Sequence, residues 1–208
     1  MREKLKKIWL VRHGQSQRQN EETDDSLNPD LSDLGCRQAT RLIEPLKDQE
    51  FDLILLSPLQ RAWKTYQLSE AKARRVEFDS RLIESDGWIG RTYISDWGIQ
   101  ECYNAILPVV TPEIAEPDCH DVWLISADER VATLVEDLVV RQENNILLFG
   151  HWGVFNRIFW AFIGMDANNK LARFNTDNTG ISLLEVDEKG YRFIRYWNER
   201  SHVSDLLE

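Results

Sequence analysis

Cysteine is scarce in this chain. Three residues, Cys36, Cys102 and Cys119, stand among 208, odd in number, widely spaced and outside any C-x-x-C pattern. They suggest neither a disulfide framework nor a zinc site and read as structural thiols. Long apolar runs are missing as well, since no stretch approaches the roughly 20 residues that a membrane-spanning helix needs. The basic start "MREKLKK" looks like the head of a signal peptide, but the uninterrupted apolar segment behind it is only "IWLV". That is too short for the hydrophobic part of a leader, and the expectation is a soluble, cytoplasmic protein with no membrane partner. Positive charge is also in deficit: 25 lysines and arginines face 35 acids, a formal net charge of -10. Such a field does not attract nucleic acid or an acidic membrane, although a small anion can still be held where cations gather locally. Between residues 92 and 129 there is no lysine or arginine at all, while Asp96, Glu101, Glu113, Glu116, Asp118 and Asp121 fall inside the same stretch.

What is present is a core. With 42% hydrophobic residues the chain reads as a single domain over residues 1–208. The runs "IWLV" (8–11), "FDLILLS" (51–57) and "NILLFGH" (145–151) are continuous rather than alternating, as expected of strands covered on both faces. Between them, Ser32 can cap a helix whose apolar face is Ala39, Leu42, Ile43 and Leu46, with Pro45 kinking it or marking its irregular end. Ser57-Pro58 suits the cap and first position of a helix carrying Arg61 and Trp63. A short edge strand is expected at 76–78, a helix through Val131, Leu134, Val135, Leu138 and Val139, and another over about 154–163. "ISLLEV" and "YRFIRYW" form a hairpin around 187–190. Residues 85–120, with three glycines and three prolines, read as an irregular cover. Strands alternating with helices predict an α/β fold, a three-layer α/β/α sandwich around a mainly parallel sheet.

In that arrangement the three buried strands deliver Arg12 and His13, Arg61, and His151 to one carboxyl edge of the sheet, where open α/β sheets bind ligands. Four groups that are or can become cationic need an anion. A phosphoryl group fits best, because arginine forks match its oxygens and imidazole can donate or attack; a carboxylate would not require two histidines. Gly14 would let the backbone turn sharply beside them. A neutral imidazole with one nitrogen free is a competent nucleophile toward phosphorus, and arginines around it disfavour the imidazolium. Positioning and charge stabilisation then need no metal or other cofactor.

"LVRHGQS", "LNPDLSDLGCRQA", "LLSPLQRAWKT", "RLIESDGWIG" and "LLFGHWGV" resemble, in order and rough spacing, the successive motifs of the histidine phosphatase superfamily, the phosphoglycerate mutase-like family, over about residues 7–186. The resemblance implies that His13 is the nucleophile that becomes phosphorylated and that Arg12, Arg61 and His151 surround the transferred group. It implies further that Glu84 protonates the leaving oxygen and then activates water. Where the family has an asparagine on the phosphate this chain has Gln19, with Asn20 one step later. The family also brings the turn Asn178-Thr179-Gly180 near the phosphate. The cation-free acidic stretch departs from the mutase branch, which holds a second anionic group with basic residues in its cover. It favours hydrolysis of a small phosphorylated substrate or a phosphoprotein over a mutase-type phosphotransfer; a silent phosphate-binding regulatory module would usually lack the nucleophile or the acid, and His13 and Glu84 are both present. Arg91 could assist a remote substrate group or be a surface residue; Trp152 could wall the pocket and Trp88 and Trp97 stack on an aromatic leaving group, or all three could be packing residues. His120 and His202 read as incidental. Oligomeric state is not legible.

Overall fold

The computed structural model describes residues 5–23, 28–84, 127–165 and 172–206. The expected cover at 85–120, with Arg91, Trp88, Trp97, Cys102, Cys119 and His120, lies outside the described residues. Six strands form one sheet: β1 (Lys6–Arg12), β2 (Phe51–Leu56), β3 (Ala73–Phe78), β4 (Asn145–Gly150), β5 (Ile181–Val186) and β6 (Arg192–Glu199). Their order is β3-β2-β4-β1-β5-β6. The pairs β1–β4, β2–β3 and β2–β4 are parallel, while β5 runs antiparallel to β1 and to β6. The fold is therefore α/β with a mainly parallel sheet.

The continuous apolar runs work because each strand feeds two cores by alternation. Ile8, Leu10, Leu53, Leu55, Ile146 and Leu148 face one layer, built by α4 (Ala127–Val140) and α5 (Trp152–Phe162). Trp9, Val11, Ile54, Leu56, Leu147 and Phe149 face the other. There α1 (Asp33–Arg41), α2 (Ile43–Leu46) and α3 (Gln60–Ser69) supply Leu42, Leu46, Trp63 and Tyr66.

Ser32 does cap α1, its Oγ accepting the Gly35 amide at 3.1 Å. The helix breaks at Leu42, as a proline at 45 demands: its ring excludes the carbonyl four residues earlier, at Arg41, and the chain restarts as α2. The hairpin is closed by Asp187, whose carboxylate accepts the amides of Lys189 and Tyr191 at 2.9 Å each, and by Gly190 at φ 84°. Two expectations are corrected. The edge strand β3 begins at Ala73, earlier than 76, and the cap of α3 is Leu59 rather than Ser57, whose hydroxyl is drawn elsewhere. Among the described residues no helix is long and apolar enough to cross a membrane.

Candidate active site

Register sets the site. Arg12 pairs with Gly150 across β1 and β4, and the amides of His13 and Ser57 donate to Gly150 O and Phe149 O, each at 3.0 Å. Three neighbouring strands thus end at one level. The rings of His13 and His151 lie 5.0 Å apart between centroids at 56°, both buried, and His151 caps α5. Arg61, the second residue of α3, is buried at the same edge. Glu84 follows the 3-10 turn Ser80–Leu82, and the Gly153 amide in the first turn of α5 donates to its Oε2 at 3.5 Å. A carboxylate is favoured there by the helix dipole, as a phosphate would be.

His13 is held with one ring nitrogen tied and the other open. Its Nδ1 lies 2.6 Å from Gly14 O, and since a carbonyl only accepts, Nδ1 carries the proton and Nε2 keeps its lone pair. Burial, then the Arg61 and Arg12 guanidiniums, push the His13 pKa well below 6.5, so the ring is neutral at neutral pH. His151 is pushed down in the same way, by burial, Arg61, His13, Arg12 and Arg130. Its Nε2 lies 2.8 Å from Ser57 Oγ, which already accepts the Leu59 amide at 3.3 Å. A Ser57 hydroxyl that donates to Nε2 leaves Nδ1 as the N–H donor, the tautomer that suits an anion. That Nδ1 and Arg12 Nε are buried without a hydrogen bond among the described residues, as suits donors for an anion. Arg12 is oriented by its Nη1 bond to Thr176 O at 2.5 Å and feels Glu84 and Asp177, which oppose the lowering of its pKa by burial.

Gln19 and Asn20 are placed differently. Gln19 closes a capping box with Ser16 and exchanges two amide bonds of 3.2 Å with Asn178, whose Nδ2 donates to His13 O at 2.9 Å. It reaches His13 through Asn178. Asn20 is exposed and bonds Glu22, away from the histidines. Gly14 serves a close approach, not the expected sharp turn: a Cβ there would sit 2.5 Å from Gly35 O. Its amide donates to Thr65 Oγ1 at 3.0 Å. His202, read as incidental, packs its side chain inside and lies 3.9 Å from Glu199.

Three participants escaped the sequence reading. Ser57 stands in "LLSPLQR", where the serine-proline pair predicts a cap and the structure gives its hydroxyl to His151. Thr65 lies on α3 one turn beyond Arg61 and was not singled out. Arg130 sits on α4 in register with the apolar Leu134 and Leu138, a charged residue on a core stripe, and is buried there. That mismatch of residue type and periodicity was the available signal. Among the described residues no group of three or more histidine, cysteine or acidic side chains could hold a metal ion. A groove of about 570 Å3 lined by Ile43, Phe51, Ser69 and Arg74 lies at the opposite edge of the sheet and contains none of these groups.

Comparison with known proteins gives the chain a family. The family model described as Histidine phosphatase superfamily (branch 1) matches residues 8–199. The phosphoserine phosphatase 1 of Hydrogenobacter thermophilus is 28% identical over 194 residues, 88% of this chain and 88% of its own. The adenosylcobalamin/alpha-ribazole phosphatase of Escherichia coli is 26% identical over 208 residues, 94% of this chain and 97% of its own. Among solved structures, the alpha-ribazole phosphatase of Shigella flexneri superposes with a TM-score of 0.66 at 26% identity, covering 93% of this chain and 96% of that one.

Proposed function

Because this chain belongs to the histidine phosphatase superfamily, we propose that its phosphatase activity acts on small phosphomonoesters through a phosphohistidine on His13. The family match and the phosphatase relatives make it a histidine-type phosphatase. The observation that carries the residue assignment is the Nδ1 proton of His13 given to Gly14 O, which leaves Nε2 unprotonated in a nest of cations.

In the first step Nε2 attacks phosphorus in line with the ester oxygen; the P–O bond breaks, and Glu84 gives that oxygen its proton. Arg12, Arg61 and the His151 Nδ1–H hold the three equatorial oxygens as charge redistributes. Water then attacks the phosphohistidine, its proton passes to the Glu84 carboxylate, and the N–P bond breaks to release inorganic phosphate. Gln19 supports this machinery through Asn178 rather than by touching the phosphate, and Asn20 stays on the exposed loop. The names of the phosphoserine and alpha-ribazole phosphatase relatives support a substrate with one phosphate on a small organic alcohol. Both sheet faces covered by one chain support reading residues 1–208 as a single domain.

The test is turnover of p-nitrophenyl phosphate with chelator present, together with acid and alkali stability of label retained from a radiolabelled ester. The native protein is expected to turn over and to retain label that survives alkali but not acid, and His13→Ala to do neither. Alkali-labile label, or His13→Ala turning over within about tenfold of native where a nucleophile is required, would remove His13 from that role.

A further inference from the structure

Arg130 is an arginine where the helix asks for a leucine. It precedes Leu134 and Leu138 by one and two turns on the buried face of α4, and only 4% of it is exposed. A guanidinium is costly to bury unless something inside needs its charge. Its pKa is pushed down to about 10, burial and Arg157 lowering it against Glu84 and Asp79, so at neutral pH it is a cation in the interior.

What it holds is the peptide beside the acid. Arg130 Nη2 donates to Ile83 O at 2.8 Å, the carbonyl immediately before Glu84, in a segment whose Leu82 and Ile83 are fully buried. The same segment is tied to α4 a second time at the surface, where Arg81 bonds Asp79 and reaches Asp137 at 2.5 Å. From the other side, Arg157 of α5 bonds Asp128 at 2.8 Å and Gly153 O at 3.2 Å, while the Gly153 amide faces the Glu84 carboxylate. Glu84 therefore stands between the N-terminus of α5 and the buried cation of α4, and that cation also acts on His151.

We propose that Arg130 is a positioning residue for proton transfer: by anchoring the Ile83 carbonyl and setting a fixed charge beside Glu84, it holds that carboxyl group where the leaving oxygen is protonated. The inference rests on Glu84 being the general acid of the proposed reaction. Arg130 does not touch the substrate, so its loss must be felt only where proton donation is needed.

That requirement supplies the test. The value of kcat/KM reports the phosphorylation step, and the need for an acid in that step depends on the leaving group: an alkyl alkoxide must be protonated, whereas p-nitrophenolate leaves unaided. Glu84→Gln is expected to lower kcat/KM for an alkyl phosphate such as phosphoserine about a hundredfold or more, and for p-nitrophenyl phosphate far less. Arg130→Met is expected to follow the same pattern at about tenfold or more on the alkyl ester and within about threefold on the aryl ester, with Arg130→Lys recovering part of the loss. Arg130→Met combined with Glu84→Gln should be no worse than Glu84→Gln alone, because the two act on one step. A cooperative urea transition certifies folding of each variant; Arg130→Lys carries the test should the methionine variant fail to fold. If Glu84→Gln discriminates between leaving groups and the Arg130 variants lower both esters equally, the inference falls and the acid assignment stands. If Glu84→Gln lowers both equally, the acid assignment itself falls, and the inference with it.

Discussion

Replacing Ser57 by alanine removes the one hydrogen-bonding neighbour of His151 Nε2 among the described residues and leaves a buried ring nitrogen unsatisfied. Such a loss costs about 1–3 kcal/mol, and because it also frees the ring to carry its proton on the wrong nitrogen, we expect weaker inorganic phosphate binding by about tenfold or more. Calorimetric titration measures this, and an unchanged dissociation constant would refute the tautomer assigned to His151. Gly14→Ala drives a methyl group against the Gly35 carbonyl, backbone against backbone, and is expected to lower stability by about 1–3 kcal/mol in urea unfolding. Arg12 and His13 were legible because two costly groups follow a buried run; the reason for Gly14 was not, since what passes over it belongs to α1. Ser57 escapes a cap rule for a similar cause: its partner, His151, lies just beyond β4, and such a rule looks only at adjacent residues.

Strands were the most legible elements. Their unbroken apolar runs imply cover on both faces, and the alternation of Leu147 and Leu148 between two cores is the direct reading of that pattern. Leu148→Ala should therefore cost about 2–5 kcal/mol, visible as a lower urea midpoint with little change in slope; a change within the error of the midpoint would contradict a close-packed layer under α5. Helix starts were less legible, because they depend on where side chains find partners. Arg130 was missed at this scale for one reason: periodicity was counted over apolar residues, so a cation on the core stripe was passed over.

Across the whole molecule the two histidines impose a pH dependence. Both are held neutral, with pKa values well below 6.5 in the folded protein, whereas the unfolded chain binds protons at about pH 6.5. Below that pH the unfolded state gains protons that the native state refuses, so stability is level above about 6.5 and falls on acidification. Melting temperatures from pH 8 to 5, in native protein and in His13→Asn with His151→Asn, check this: the double variant should show a shallower fall, and an identical slope would mean that the rings titrate freely. Inorganic phosphate should raise the melting temperature, by about 2.7 kcal/mol of added stability at about a hundredfold its dissociation constant. The strand order carries a further consequence, one of timing. Of the six strands β1 leaves the ribosome first, yet its two neighbours in the sheet are β4 and β5, far along the sequence, so Ile8 to Val11 must wait for residues 145–150 and 181–186 before either edge is paired. Non-local pairing of this kind slows folding and leaves an apolar strand unprotected meanwhile. His13, at the end of the first of these strands to be made, is among the last groups to find its surroundings.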